Sequence, residues 1–197
     1  MSMMEIYNDR ILDLLDKKYS QNNEIYNPTS VATNGSLDIR THRNGSVYVD
    51  RLSEYTVVNI EEVVSLLSIG GKHRQIINNG TDNHSCTRSH LIVKISLSKT
   101  CSTTHQVTTS TINLVDLAGS EKVKTIGTSG SKLREYQSIS SSLSTLNDVI
   151  VALCNQSRNI PYRNSILTHI LQDSLQMHTT KVLMFCSLVP LPLCRDE

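Results

Sequence analysis

The spacing of apolar and polar side chains along this chain changes period repeatedly, and each change marks an expected element. Residues 91–97 alternate and predict a strand with one buried face, and residues 3–7 read as a shorter one. Residues 111–117 are dense in β-branched and apolar side chains and are expected to form a buried strand. Residues 108–117 should pair with 91–97 as an antiparallel hairpin across a polar loop at 99–106. After Asp9, the spacing of Ile11, Leu12, Leu14 and Leu15 predicts a compact helical turn. Residues 37–40 and 47–49 predict two short strands around a turn at Gly45. Asn59 suits the N-cap of a helix reaching about Ile69, with Glu61 and Glu62 in its first turn. Gly70-Gly71 should stop or interrupt that helix. A second helical segment is expected over 72–78, with Lys72, His73 and Arg74 on a solvated face. Ile139, Leu143, Leu146, Ile150 and Leu153 recur at steps of four and three, one stripe of a long helix. Pro161 should break the chain before a helix over 165–175, and the apolar run 181–188 reads as a buried central strand. Strands alternating with long helices predict the α/β class with a mixed sheet.

Composition narrows the function classes. The chain has 197 residues, enough for one domain with a substantial core. One Phe and no Trp make that core aliphatic. Nineteen Lys and Arg stand against 18 Asp and Glu, a formal net charge of +1. Without a global positive field, a dedicated nucleic-acid binder is disfavoured, and polyanion binding would need a local basic patch. Five scattered cysteines, with no Cys-x-x-Cys pair and no His cluster at zinc spacing, read as reduced thiols. The longest apolar run, 182–193, is broken by Ser187, Pro190 and Pro192 and is too short to span a bilayer, so no membrane partner is expected.

The chemistry concentrates in Leu114-Val-Asp-Leu-Ala-Gly-Ser-Glu121. Asp116 should end a strand, with Gly119 in the turn beyond. Such a carboxylate can hold a magnesium-bound water, and a glycine amide can approach a terminal phosphate unobstructed. By itself, Asp-x-x-Gly is as readily an ordinary strand-ending turn. Two further stretches accompany it, Asn83-His-Ser-Cys-Thr-Arg-Ser-His90 and Ile160-Pro-Tyr-Arg-Asn-Ser-Ile-Leu-Thr-His-Ile-Leu-Gln-Asp-Ser-Leu175. In this order and at these separations, they resemble the first switch, second switch and tubulin-facing loop and helix of kinesin motor domains. The resemblance runs from Met3 to about Pro190 and looks closest to the C-terminal-motor, minus-end-directed class.

That resemblance implies a P-loop NTPase-related α/β fold, a central mixed sheet with helices on both faces, and Mg-ATP held between the switches. Asn83, Cys86, Thr87, Asp116 and Gly119 would contact the nucleotide, with Thr87 and Asp116 (through water) at magnesium. Arg88 and Glu121 would pair to position the attacking water. Lys122, Lys124, Lys132, Arg134, Arg163 and His169 would face the microtubule, and the setting would be the cytoplasm and its microtubule cytoskeleton. Phosphoryl transfer depends mainly on such positioning and charge neutralisation.

Several positions depart from the family's pattern. Cys86 places a thiol where a hydroxyl is usual, a weaker donor. Ile166 and His169 stand where Lys and Arg are usual, Gln176-Met177 replaces a Gly-Gly turn, and Ser140-Ser141 replaces Asn-Lys. The sequence contains no Gly-x-x-x-x-Gly-Lys-Ser/Thr; Gly71-Lys72 is followed by His73. The expectation is therefore residues 1–197 as one partial motor domain, truncated at both ends, without a dimerisation element. Such a chain would be inactive as an ATPase on its own. The rival readings are a non-catalytic microtubule- or motor-binding module and a truncated product with no independent role.

Overall fold

A computed structural model describes residues 1–16, 37–74, 88–120, 130–176 and 180–187. In chain order the elements are β1 (Ser2–Tyr7), β2 (Arg10–Asp13), β3 (Ile39–Thr41), β4 (Val47–Val49), α1 (Ile60–His73), β5 (His90–Thr100) and β6 (Val107–Asp116). Then follow α2 (Ser131–Cys154), a 3-10 turn (Tyr162–Asn164), α3 (Ile166–Ile170) and α4 (Gln172–Leu175). They fall into two compact units, residues 1–38 with 49–118, and residues 39–48 with 119–197. Sheet and helices together make the α/β class expected of the sequence. Among the described residues no helix is long and apolar enough to cross a membrane.

The first unit is built on a four-stranded sheet of order β2-β1-β5-β6, with each described pair antiparallel. β1 and β2 form a hairpin closed by Asn8 and Asp9, whose φ angles are +50° and +55°. Two consecutive left-handed residues make the turn whose twist matches paired strands. The expected helical turn after Asp9 is thus a strand, with Tyr7 opposite Arg10 and Ile6 opposite Ile11. Leu14 and Leu15 turn the chain inward, and the Leu15 amide donates to Asp13 Oδ1 at 2.9 Å. Met1, Met3, Leu14, Leu15 and Val93 form the core on one side, with Val63 and Leu66 of α1 packed against them.

Asn59 caps α1 as expected, accepting the Glu62 amide at 2.8 Å, and Glu62 reaches back to the Val58 amide at 3.0 Å. The helix does not stop at the glycines and runs through them to His73. Gly70 is buried, and a Cβ there would lie 2.2 Å from Met3 Sδ. The position is a close approach of helix to strand, which outweighs glycine's poor helix propensity.

The β5–β6 hairpin pairs His90–Thr100 with Val107–Asp116 as the alternation predicted, from Leu91 opposite Asp116 to Thr100 opposite Val107. Burial of β6 differs from expectation. Ile112 is 46% exposed and Leu114 55%, because among the described residues β6 pairs with β5 alone.

In the second unit, Gly45 (φ +88°) turns the β3–β4 hairpin, and His42 stacks on Tyr48 at 4.1 Å. The Val47 amide donates to Asp173 Oδ2 of α4 at 2.8 Å. Of the stripe read from the spacing, Ile139 and Leu146 are buried and Leu143, Ile150 and Leu153 partly buried along α2, with Val149, outside that stripe, buried among them. Ser142 and Thr145, buried beside them, turn their hydroxyls onto the helix's own carbonyls of Ile139 and Ser141. Ser165 caps α3 through the Thr168 amide, and the expected 165–175 helix is broken in two at Leu171. The run 181–187 joins no strand, and Val182 (59%), Leu183 (78%) and Phe185 (86%) are exposed. A two-faced apolar strand needs a neighbour on each side to be buried, and none is present among the described residues.

Candidate functional site

Within the first unit, the end of β6 and the start of β5 lie side by side, which brings the two switch-like motifs together at their described ends. Asp116 is the last residue of β6, as expected, and its side chain is 60% exposed. Arg74, at the C-cap of α1, donates from Nη1 to Asp116 Oδ2 at 2.6 Å. Its Nη2 donates to the Ser89 carbonyl at 3.3 Å. The Arg74 side chain is only 12% exposed, so of the expected solvated face Lys72 is exposed but Arg74 is not. His73 is also engaged, with Nδ1 2.9 Å from the Leu14 carbonyl.

Arg88, Ser89 and His90 are buried, at 5%, 1% and 2% exposure. Ser89 Oγ donates to Glu5 Oε1 on β1 at 2.5 Å. His90 Nδ1 accepts the Ala118 amide at 3.0 Å, which tethers the first motif to the residue just before Gly119. An imidazole accepting through Nδ1 must be neutral, with any proton on Nε2. Burial first, and then the Arg74 charge, lower the His90 pKa to about 4, against the opposing pull of Asp116 and Asp9.

The remaining candidates divide. Asn83, Cys86, Thr87, Glu121, Lys122 and Lys124 lie outside the described residues, as does the Lys132 side chain. Gly119 is partly buried beyond Ala118, and Arg134 and Arg163 are exposed. His169 is half-buried, and burial and then the Arg163 charge lower its pKa, so it carries little positive charge at neutral pH. Two participants were missed by sequence reasoning. Arg74 has its carboxylate partner 42 residues away, and nothing local marks it. Glu5 did leave a signal: a carboxylate inside the apolar run Met3-Met4-Glu5-Ile6 needs a partner if that strand is buried.

The described ends of the two motifs thus meet around a carboxylate at a strand's end on an α/β scaffold. The profile of the kinesin motor domain matches residues 1–197, and the chain belongs to that family. It is 40% identical over 189 residues to the kinesin-like protein KIN-14R of Arabidopsis thaliana, covering 96% of this chain and 16% of that protein. A solved structure described as KIF14 with ADP in complex with a microtubule superposes with a TM-score of 0.74 at 36% identity, over 91% of this chain and 50% of the other. The C-terminal motor and motor homology domain of Kar3Vik1, fused to a synthetic coiled coil, superposes at 0.69 with 34% identity, over 89% and 42%. The KIN-14R and Kar3Vik1 relationships accord with the likeness to C-terminal motors read from the sequence. The chain spans half or less of each of these relatives.

Proposed function

We propose that this chain is the switch-bearing part of a microtubule motor domain, one that binds Mg-ATP and couples its hydrolysis to microtubule binding in the cytoplasm. The observation that carries the reading is the joining of the two motifs, Ser89 and Asp116 through Arg74, and His90 to Ala118. A shift at one motif is thereby felt at the other, as a nucleotide sensor requires.

The residues present fit a magnesium-bound nucleotide. Asp116 offers an exposed carboxylate at a strand's end, a hard oxygen donor of the type magnesium takes through water. Thr87 would add a hydroxyl there, and Asn83, Cys86 and the Gly119 amide would meet the nucleotide. When bound, magnesium neutralises charge on the β- and γ-phosphates. Arg88 and Glu121 would orient the attacking water. Arg74, already on Asp116, supplies positive charge beside the carboxylate and would have to share it with the ion. Lys122, Lys124, Lys132, Arg134 and Arg163 would meet acidic tubulin. His169 would contribute contact rather than charge.

Phosphoryl transfer also needs the β- and γ-phosphates to be held before the switches act, and this sequence carries no phosphate-loop motif. Steady-state phosphate release with and without microtubules tests the reading, on this chain alone and joined to an upstream motor segment. The expected result is background turnover alone and microtubule-stimulated turnover when joined, abolished by Asp116→Ala and by Glu121→Ala. Stimulated turnover that survives both substitutions would overturn the site. Co-sedimentation that does not weaken with salt, or that survives charge reversal at Lys122, Lys124, Lys132 and Arg134, would overturn the microtubule face.

A further inference from the structure

Glu5 is the one charged residue of β1, and it is fully buried. β1 is paired on both sides, with Glu5 opposite Leu12 on β2 and Leu91 on β5, so Glu5 sits on one of the sheet's two interior strands. A carboxylate placed there loses its hydration and must recover it through hydrogen bonds. The Ser89 hydroxyl supplies one at 2.5 Å, a bond between two groups withdrawn from solvent.

Ser89 is the middle residue of the first motif's buried end, Arg88-Ser89-His90. Its side chain is held by Glu5, its carbonyl by Arg74, and the next side chain by the Ala118 amide. Of these three tethers, one comes from the C-cap of α1 and one from the turn after β6, both at the ends of elements. Glu5 alone acts from within a strand laddered on both sides, and it is 84 residues away in sequence from the group it holds. Groups on such an element are held more tightly than groups on loops.

We propose that Glu5 is a positioning residue for the first switch, fixing Arg88–His90 relative to Asp116 through the Ser89 hydroxyl. It acts on the site through Ser89 and touches no reacting atom itself. The assignment of a switch role rests on the motor reading above; the anchoring of residues 88–90 by Glu5 does not.

NMR-detected hydrogen exchange on the full chain tests the anchor, comparing amides 88–90 with those of Ile92 and Val93 deeper in β5. Ser89→Ala removes the hydroxyl alone and should speed exchange at 88–90 about tenfold, with Ile92 and Val93 changed less than about twofold. Glu5→Ala should speed exchange at 88–90 at least as much, and the double variant should exchange no faster there than Glu5→Ala, because the Ser89–Glu5 bond is already lost in it. Glu5→Gln keeps an acceptor oxygen and should retain most of the protection. If Glu5→Ala fails to fold, Ser89→Ala and Glu5→Gln decide the matter. Unchanged protection in Ser89→Ala overturns the proposal. So does a uniform rise along β1 and β5, which marks Glu5 as a structural residue alone. Local loss at 88–90 alongside a joined motor that shows no stimulated phosphate release would sustain the anchor and defeat the motor reading. Stimulated release with unaltered exchange would do the reverse.

Discussion

Arg74 Nη1 lies 2.6 Å from Asp116 Oδ2, tying the end of α1 to the end of β6. The two partners are unequally solvated, at 12% and 60% side-chain exposure. Removing Asp116 strands a guanidinium that is mostly out of water, whereas removing Arg74 leaves a carboxylate that water can reach. Asp116→Ala should therefore cost at least as much stability as its charge loss at the surface suggests, about 1–2 kcal/mol. A double-mutant cycle with Arg74→Ala should return a coupling of about 1 kcal/mol. Urea midpoints of the four proteins measure it, and a coupling indistinguishable from zero would show the contact to be energetically idle.

His90 makes the fold sensitive to acid. Its folded-state pKa of about 4 lies below the ordinary 6.5, so the unfolded chain takes up the proton first. The stability this group contributes is fully present above pH 6.5, erodes as pH falls, and is gone below about pH 4. The total is on the order of 3 kcal/mol. His90→Gln, which can still accept the Ala118 amide through its side-chain oxygen, should flatten the stability profile across that window. A profile of the same slope in the variant would contradict the assignment.

Gly70 and Gly71 are neighbours in α1 and should respond oppositely to alanine. Nothing lies within 4 Å of a Cβ at Gly71, and that substitution should stabilise by up to about 1 kcal/mol through helix propensity. At Gly70 the added carbon meets Met3 Sδ, and Met3 is 2% exposed within the core. Overpacking of about 1–3 kcal/mol should exceed the propensity gain. Thermal melts of the two single variants decide this, with Met3→Ala expected to restore part of the loss at Gly70→Ala. Equal effects at both glycines would refute the close approach.

The exposed strand β6 should make the isolated chain prone to self-association. From Val107 to Asn113 it carries no charge and no proline, the usual protections of a sheet edge. Ile112→Lys should raise the monomer fraction in size-exclusion chromatography and lower hydrophobic-dye binding, while stability shifts by less than about 0.5 kcal/mol. A parent chain that is already a monodisperse monomer would remove the premise.

Much of this architecture could be read from local signals. The Asn59 cap, the Gly45 turn, the alternation from Leu91 to Leu97 and the α2 stripe each depend on residues within a few positions of one another. The misreadings share the opposite property. Gly70 looked like a stop because the sequence does not reveal Met3 above it. Ile112, Leu114 and Val182 looked buried because apolar composition states a need for neighbours without supplying them. The Asn8–Asp9 turn is an exception, since two turn-forming residues between apolar runs were there to be read as a hairpin. At the site, Asp116 and Arg88 were legible as members of motifs, and Ala118 and His90 came with them. Arg74 and the Glu5–Ser89 bond were not, because each joins segments that only the folded sheet brings together.

The bond from the Val47 amide to Asp173 spans 126 residues of chain. During synthesis, the β3–β4 hairpin is made long before the helix that receives it. At about 5–20 residues per second, the interval is roughly 6–25 s. The first unit's strands, from β1 to β6, are complete within that delay. The ribosome thus imposes a sequence of assembly, the sheet and α1 before α2 to α4, and leaves an early hairpin waiting for a late acceptor. Substituting Asp173 should then slow the last stage of folding on the ribosome more than the first.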